Sequence, residues 1–233
     1  MITSPSRVLA VTTAGFLLAS TTTACSSDQG TKFSELSIQE IEKEVRHDMG
    51  GLESVRFTGS LTRNGATSEL SLQVDKTGKC AGTIRTQGVT AEIIRTSDGS
   101  NFMKGDAAFW RATGGAQAKK LVRLVGEKWA KISSGDQFAE FCDLDNLLEE
   151  LNQNDDAEKS SPTKGGEAEF GGESVIEIRN ETDGSTTTAL VLVEDPHYIV
   201  KLTSTGQEDG QFEFSDFDIP FEIEAPDDYV DLG

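Results

Sequence analysis

Apolar positions along the chain follow three different patterns. Residues 8–19, VLAVTTAGFLLA, form one short apolar run near the start. Further on, Ile38, Ile41, Val45 and Met49 recur at helical spacing and predict an amphipathic helix. Ser37-Ile38-Gln39-Glu40 has the form of a capping box, with Leu36 and Ile41 placed as its hydrophobic staple. Gly50-Gly51 ends that helix. From Ser54 the period falls to two: Val55, Phe57 and Leu61 lie on one face, then Leu70, Leu72 and Val74, with Asn64-Gly65 between them. Asn-Gly between alternating runs is a strong hairpin signal. Further turns near Thr77-Gly78, Gln87-Gly88, Asp98-Gly99 and Gly105-Asp106 predict an antiparallel meander of about half a dozen strands.

The pattern becomes helical again in two places. Residues 116–125 put Leu121, Leu124 and Val125 on one side and Lys119, Lys120 and Arg123 on the other. After GEKWAKIS, read as an extended link, residues 136–151 carry the stripe Phe138, Phe141, Leu144, Leu148 and Leu151. Residues 152–167 are polar without a period and predict a loop. Strands then resume, with turns at Asp183-Gly184, Asp195-Pro196 and residues 206–210. The run Ala189-Leu190-Val191-Leu192-Val193 is apolar on both faces, as in a central strand covered on each side. The expected fold class is α+β, one large antiparallel sheet with helices against one face.

The opening run is too short for a bilayer span, which takes roughly 20 apolar residues, and fits the apolar region of a signal peptide. Arg7 precedes it and Thr21-Thr22-Thr23-Ala24-Cys25 follows it. A cysteine directly after small residues resembles the lipobox of bacterial lipoproteins, with Thr22 where a lipobox has Leu, Val or Ile. On that resemblance Cys25 receives a diacylglycerol and becomes the first residue; the alternative is ordinary secretion with an unmodified thiol. After residue 24 the chain carries 20 Lys+Arg against 40 Asp+Glu, a formal −20. Such a chain repels phosphate backbones, so nucleic acid is excluded as a partner. Attachment to the membrane must then come from the lipid. Cys80 and Cys142 remain, and in an oxidising compartment they read as one disulfide, with two free buried thiols as the alternative.

Catalytic chemistry has few candidates. His47 falls on the outer side of the first helix and His197 follows a turn. No nucleophile-elbow, zinc-protease or phosphate-loop pattern occurs. Residues 143–150, DLDNLLEE, have the charge of a calcium loop but lack its glycine. Lys119, Lys120, Arg123, Lys128 and Lys131 form a basic cluster in an acidic chain, suited to an anionic head group or to a solvated helix face. No enzyme activity, cofactor or metal is expected.

The order of elements, with FMKGDAAFWRA at residues 102–112, GEKWAKIS at 126–133 and DFDIPFEIEAPDDYVDL at 216–232, resembles the LolA-like lipoprotein superfamily. Within it, the chain resembles the actinobacterial lipoproteins of the LppX/LprA/LprF/LprG type. The resemblance implies a large curved antiparallel sheet, a half-open barrel with helices against its concave face. It divides the chain into a signal peptide (1–24), a lipidated cysteine and tether (25–33) and one LolA-like domain (34–233). It implies an apolar cavity that holds a lipid, glycolipid or other amphiphile, on the outer face of the cell membrane. In the first meander the cavity-lining candidates are Val55, Phe57, Leu70, Leu72, Val74, Ile84, Ile93 and Phe102. In the helices they are Leu121, Leu124, Phe138, Phe141 and Leu148, and in the second meander Val191, Val193, Val200, Phe212 and Phe214. Packing as ordinary core is the alternative for each. In place of a carrier, a non-catalytic interaction or sensory module with a filled cavity and an envelope protein partner is the alternative function.

Overall fold

Ser37 and Glu40 begin the first helix as the pattern requires. In the computed structural model, which describes residues 32–63, 65–133, 141–152, 162–182, 184–206 and 209–233, the Ser37 hydroxyl accepts the Glu40 amide and the Glu40 carboxylate accepts the Ser37 amide at 2.9 Å. Helix α1 (Ile38–Gly50) buries Ile41, Val45 and Met49. Cys25, the leader, the tether up to Thr31 and Phe138 lie outside the described residues.

Among the described residues, twelve strands form one open sheet. The first six are β1 (Ser54–Arg63), β2 (Ala66–Asp75), β3 (Cys80–Thr86), β4 (Val89–Arg95), β5 (Asn101–Gly105) and β6 (Trp129–Ile132). The rest are β7 (Thr163–Phe170), β8 (Glu173–Thr182), β9 (Ser185–Leu192), β10 (Ile199–Thr205), β11 (Asp209–Ser215) and β12 (Tyr229–Asp231). Their order is β12-β6-β5-β4-β3-β2-β1-β11-β10-β9-β8-β7, so the two meanders meet where β1 pairs with β11. Tight turns set the register. Gln87-Gly88 joins Thr86 to Val89 with φ of 51° and 77°, and Gly171-Gly172 joins Phe170 to Glu173 with φ of 63° and 91°. Positive φ at both central residues matches the right-handed twist of the flanking strands.

Several expectations change. The sheet is mixed rather than wholly antiparallel, because β12 runs parallel to β6. The cause is the path of the chain after β11. Asp218 accepts the Glu53 amide at 2.7 Å, the Ile219 carbonyl accepts from the Ser54 hydroxyl, and the Phe221 carbonyl accepts from Lys79. These bonds lead the segment past β1 and β3 to the far edge, where it adds a strand. GEKWAKIS is not a link, since Trp129–Ile132 pairs with both β5 and β12. Residues 105–113 continue into a helix instead of closing the meander: Asp106 accepts the Phe109 amide at 2.7 Å and caps α2 (Ala107–Thr113). A 3-10 turn at Gly115–Gln117 then leads into α3 (Ala118–Leu124). Helix α4 (Leu144–Asn152) carries the Leu144, Leu148 and Leu151 part of its stripe, and residues 136–140 of that stretch lie outside the described residues. Asp143 accepts the Asn146 amide at 3.0 Å, and a side-chain oxygen offered there starts a helix. The polar stretch from 152 narrows as well, because Thr163 already belongs to β7. Strand β9 lies third from one edge and buries Val191, while Leu190 and Leu192 are half-buried.

Helices α1 and α4 pack on the middle of the sheet, with Ile41, Met49, Leu144 and Leu148 against Val55, Phe57, Leu72, Val74, Ile176, Val191 and Phe214. Cys80, at the start of β3, is disulfide-bonded to Cys142, just before α4. Helices α2 and α3 bring Phe109, Trp110 and Val125 against Ala91 and Ala130, forming a second cluster near the β6 edge.

Candidate functional site

Alternation along the strands determines which side chains meet the helices. Ile93 pairs with Met103 and Ala91 with Gly105, so Ala91, Ile93 and Met103 share one face. Gly105 has no side chain, and the Phe109 ring lies in the space a Cβ there would take. Asp106 caps α2 one residue later and fixes Phe109 and Trp110 above the strands. The two rings meet edge to face at 5.1 Å.

Between this helical roof and the sheet lies a cavity of about 370 Å³. Ile84, Thr86, Ala91, Met103 and Ile132 form its floor. Phe109, Trp110, Thr113, Gly114 and Leu121 form its roof. Its volume falls within the ~300–1,000 Å³ of small-molecule sites. The Thr113 hydroxyl donates to the Phe109 carbonyl at 2.8 Å, so it offers its proton to the helix and not to an occupant. Trp110 is 4% exposed, and its indole Nε1 has no hydrogen-bond partner among the described residues. Leaving such a donor unpaired costs roughly 1–3 kcal/mol.

Of the residues predicted to line a cavity, Ile84 and Leu121 do so. Val55, Phe57, Leu70, Leu72, Val74, Ile93, Leu148, Val191 and Phe214 are buried in the central core, with Val193 and Phe212 packed against it. Val200 is buried beside an irregularity in the pairing of β10. Three assignments are corrected. Phe102 pairs with Ile94 and Lys131, on the face opposite Met103, and its ring meets Tyr229 at 5.1 Å. A shift of one residue along a strand exchanges faces. Leu124 is 48% exposed because α3 turns Leu121 inward instead. Phe141, at 40% exposed, precedes the turn at Cys142 and falls outside the stripe of α4. Met103, Phe109, Trp110 and Ile132 went unrecognised. Asp106 at the head of AAFW was the signal that would have revealed a roof helix.

Polar groups gather elsewhere, at the turn between β9 and β10. Asp48, Asp195 and His197 place ligand-type atoms within 4.8 Å of one another. Asp48 accepts the His197 amide at 2.8 Å, and the imidazole stacks on Phe33 at 3.6 Å. These contacts tie α1 to the turn. Next to them the Tyr198 hydroxyl donates to Asp218 at 3.2 Å, and burial with the charges of Asp218, Asp48 and Asp195 pushes its pKa up to about 12. His47 is exposed on α1, apart from any catalytic grouping among the described residues.

Among solved structures, the lipoprotein LppX from Mycobacterium tuberculosis superposes with a TM-score of 0.52 at 13% identity, over 81% of this chain and 100% of that one. LprF from Mycobacterium bovis gives 0.55 at 12% identity, over 81% and 96%. The chain has the LolA-like lipoprotein fold. No protein-family model and no curated protein sequence matches it. Among the described residues, no helix is long and apolar enough to cross a membrane.

Proposed function

We propose that the chain is a non-catalytic lipoprotein of the cell envelope that binds or carries a lipid or other amphiphile. The supporting observation is the apolar cavity of about 370 Å³ between α2–α3 and strands β3 to β6. Leaving a bilayer costs an acyl chain roughly 0.8 kcal/mol of hydrophobic stabilisation per CH₂, and an apolar enclosure replaces it. The aromatic and aliphatic lining has the chemistry for that exchange. In this proposal residues 1–24 are a signal peptide, Cys25 bears the diacylglycerol, residues 26–31 are the tether and the domain that begins at Lys32 stands on the outer face of the membrane.

The test is native mass spectrometry of the chain from Ser26 onward, produced in an oxidising compartment and compared with an organic extract of the same sample. That chain keeps the whole of Lys32–Gly233, which forms its own compact unit. A released mass matching a phospholipid or glycolipid is expected. A protein that stays bare after exposure to lipids would move the function to protein interaction.

A further inference from the structure

Between Asp106 and Glu127 the sequence contains no acidic residue, yet it carries Arg111, Lys119, Lys120 and Arg123. The rest of the chain after residue 24 holds 16 Lys+Arg against 40 Asp+Glu, a formal −24. This segment of +4 is the roof of the cavity. On its inner side Leu121 lines the cavity and Val125 is buried. On its outer side Lys119, Lys120, Arg123 and Leu124 are all exposed, at spacings of three and four residues that share a helix face. Elsewhere among the described residues nine Lys and Arg side chains stand within ion-pair distance of a carboxylate. Lys119, Lys120 and Arg123 have no such partner among the described residues. Acid is abundant in this protein, and the segment that forms α2 and α3 carries none.

We infer that the outer face of α3 docks on an anionic lipid bilayer and sets the roof of the cavity against the leaflet. This rests on the proposed carrier function and supplies its point of exchange. Charge complementarity fixes the orientation, because the remaining surface is repelled by the same leaflet. Interaction between exposed charges reaches only about 10 Å at ordinary salt, so the basic face must lie nearly flat on the head groups. Leu124, an apolar side chain ringed by cations, enters among them. Each Lys or Arg close to such a surface strengthens partitioning roughly fivefold.

The experiment is co-sedimentation of the chain from Ser26 with vesicles of phosphatidylcholine alone or mixed with phosphatidylglycerol. Binding to the mixed vesicles only is expected, with loss of the order of a hundredfold in the chain carrying Lys119→Glu, Lys120→Glu and Arg123→Glu. Lys43→Glu, a reversal at an exposed position of α1, should leave binding unchanged. Equal binding to both vesicles, or mixed-vesicle binding that survives the triple reversal, overturns the inference. If the triple variant fails to fold, a salt titration of the unaltered chain decides, and binding that persists undiminished at high salt overturns it. Lipid released in mass spectrometry from a chain that ignores anionic vesicles would remove the docking face and leave the cavity function standing. A bare chain that binds them would do the reverse.

Discussion

Cys80 and Cys142 are 62 residues apart in sequence, and their Cα atoms are 5.3 Å apart in the fold. The bond closes a loop that contains β3 to β6, α2 and α3, the whole frame of the cavity. Both cysteines are fully buried, so the link joins the sheet to the approach of α4 inside the core. On a chain-entropy basis a loop of this length stabilises the fold by roughly 4 kcal/mol. Replacing both cysteines with alanine should lower the urea midpoint accordingly, and adding reductant to the unaltered chain should produce the same shift. Equal midpoints with and without reductant would show that the bond does not form.

Ala91 lies on the cavity floor, 1% exposed, opposite the roof. Adding bulk to a packed core costs about 1–3 kcal/mol, but Ala91→Phe would project into existing space. The expected result is several-fold less lipid retained in native mass spectrometry, with little loss of thermal stability. Full retention by the variant would place the lipid elsewhere in the molecule.

Much of the frame was legible because local chemistry dictates it. The Ser37–Glu40 cap, the Ile41-Val45-Met49 stripe and the Gln87-Gly88 turn are determined within a few residues, and the fold follows them. The cavity was not legible for two physical reasons. Asp106 belongs equally to a turn and to a helix cap, and only the Phe109 ring packing over Gly105 selects the cap. Phe102 and Met103 are adjacent apolar residues in β5, so alternation alone does not say which one faces inward. The pairing of Met103 with Ile93 decides it. The parallel edge depends on hydrogen bonds from Glu53 and Ser54, at the start of β1, to Asp218 and Ile219, more than 160 residues away, which no local pattern encodes.

The cap on α1 can be tested directly. Ser37→Ala removes the acceptor for the Glu40 amide and should cost about 1 kcal/mol, read as a lower denaturation midpoint with an unchanged slope. Hydrogen bonds from the Ser37 hydroxyl and amide hold the Glu40 carboxyl below its ordinary range. The part of the cap that rests on the Glu40 charge is therefore complete above the ordinary carboxylate range and is lost as pH falls through the depressed value, while the bond from the Glu40 amide to the Ser37 hydroxyl persists. Ser37→Ala should cost less in acid than at neutral pH, whereas an equal penalty at all pH values would separate the cap from Glu40 ionisation.

Tyr198 links the polar cluster at the β9–β10 turn to the segment that leads to β12, through its bond to Asp218 and its stack on Phe217 at 4.4 Å. Burial disfavours its phenolate, and Asp218, Asp48 and Asp195 add repulsion, so it ionises at about 12 instead of 10.0. In the unfolded chain the same hydroxyl ionises at the ordinary value. Between those two values the unfolded state binds fewer protons than the folded one, so stability falls as pH rises. Below the lower value the contribution is complete. The sequence contains one other tyrosine, Tyr229, and Tyr229→Phe leaves a single phenol to follow by its absorbance. The titration should centre near 12 while the fold persists, and Asp218→Asn should move it down by removing a charge and weakening the acceptor. The accompanying loss of stability in alkali should shrink in Tyr198→Phe, which keeps the Phe217 stack without the proton. A phenolate appearing near 10 in the folded chain would mean that the hydroxyl faces water and that the turn is not tied to the segment following β11.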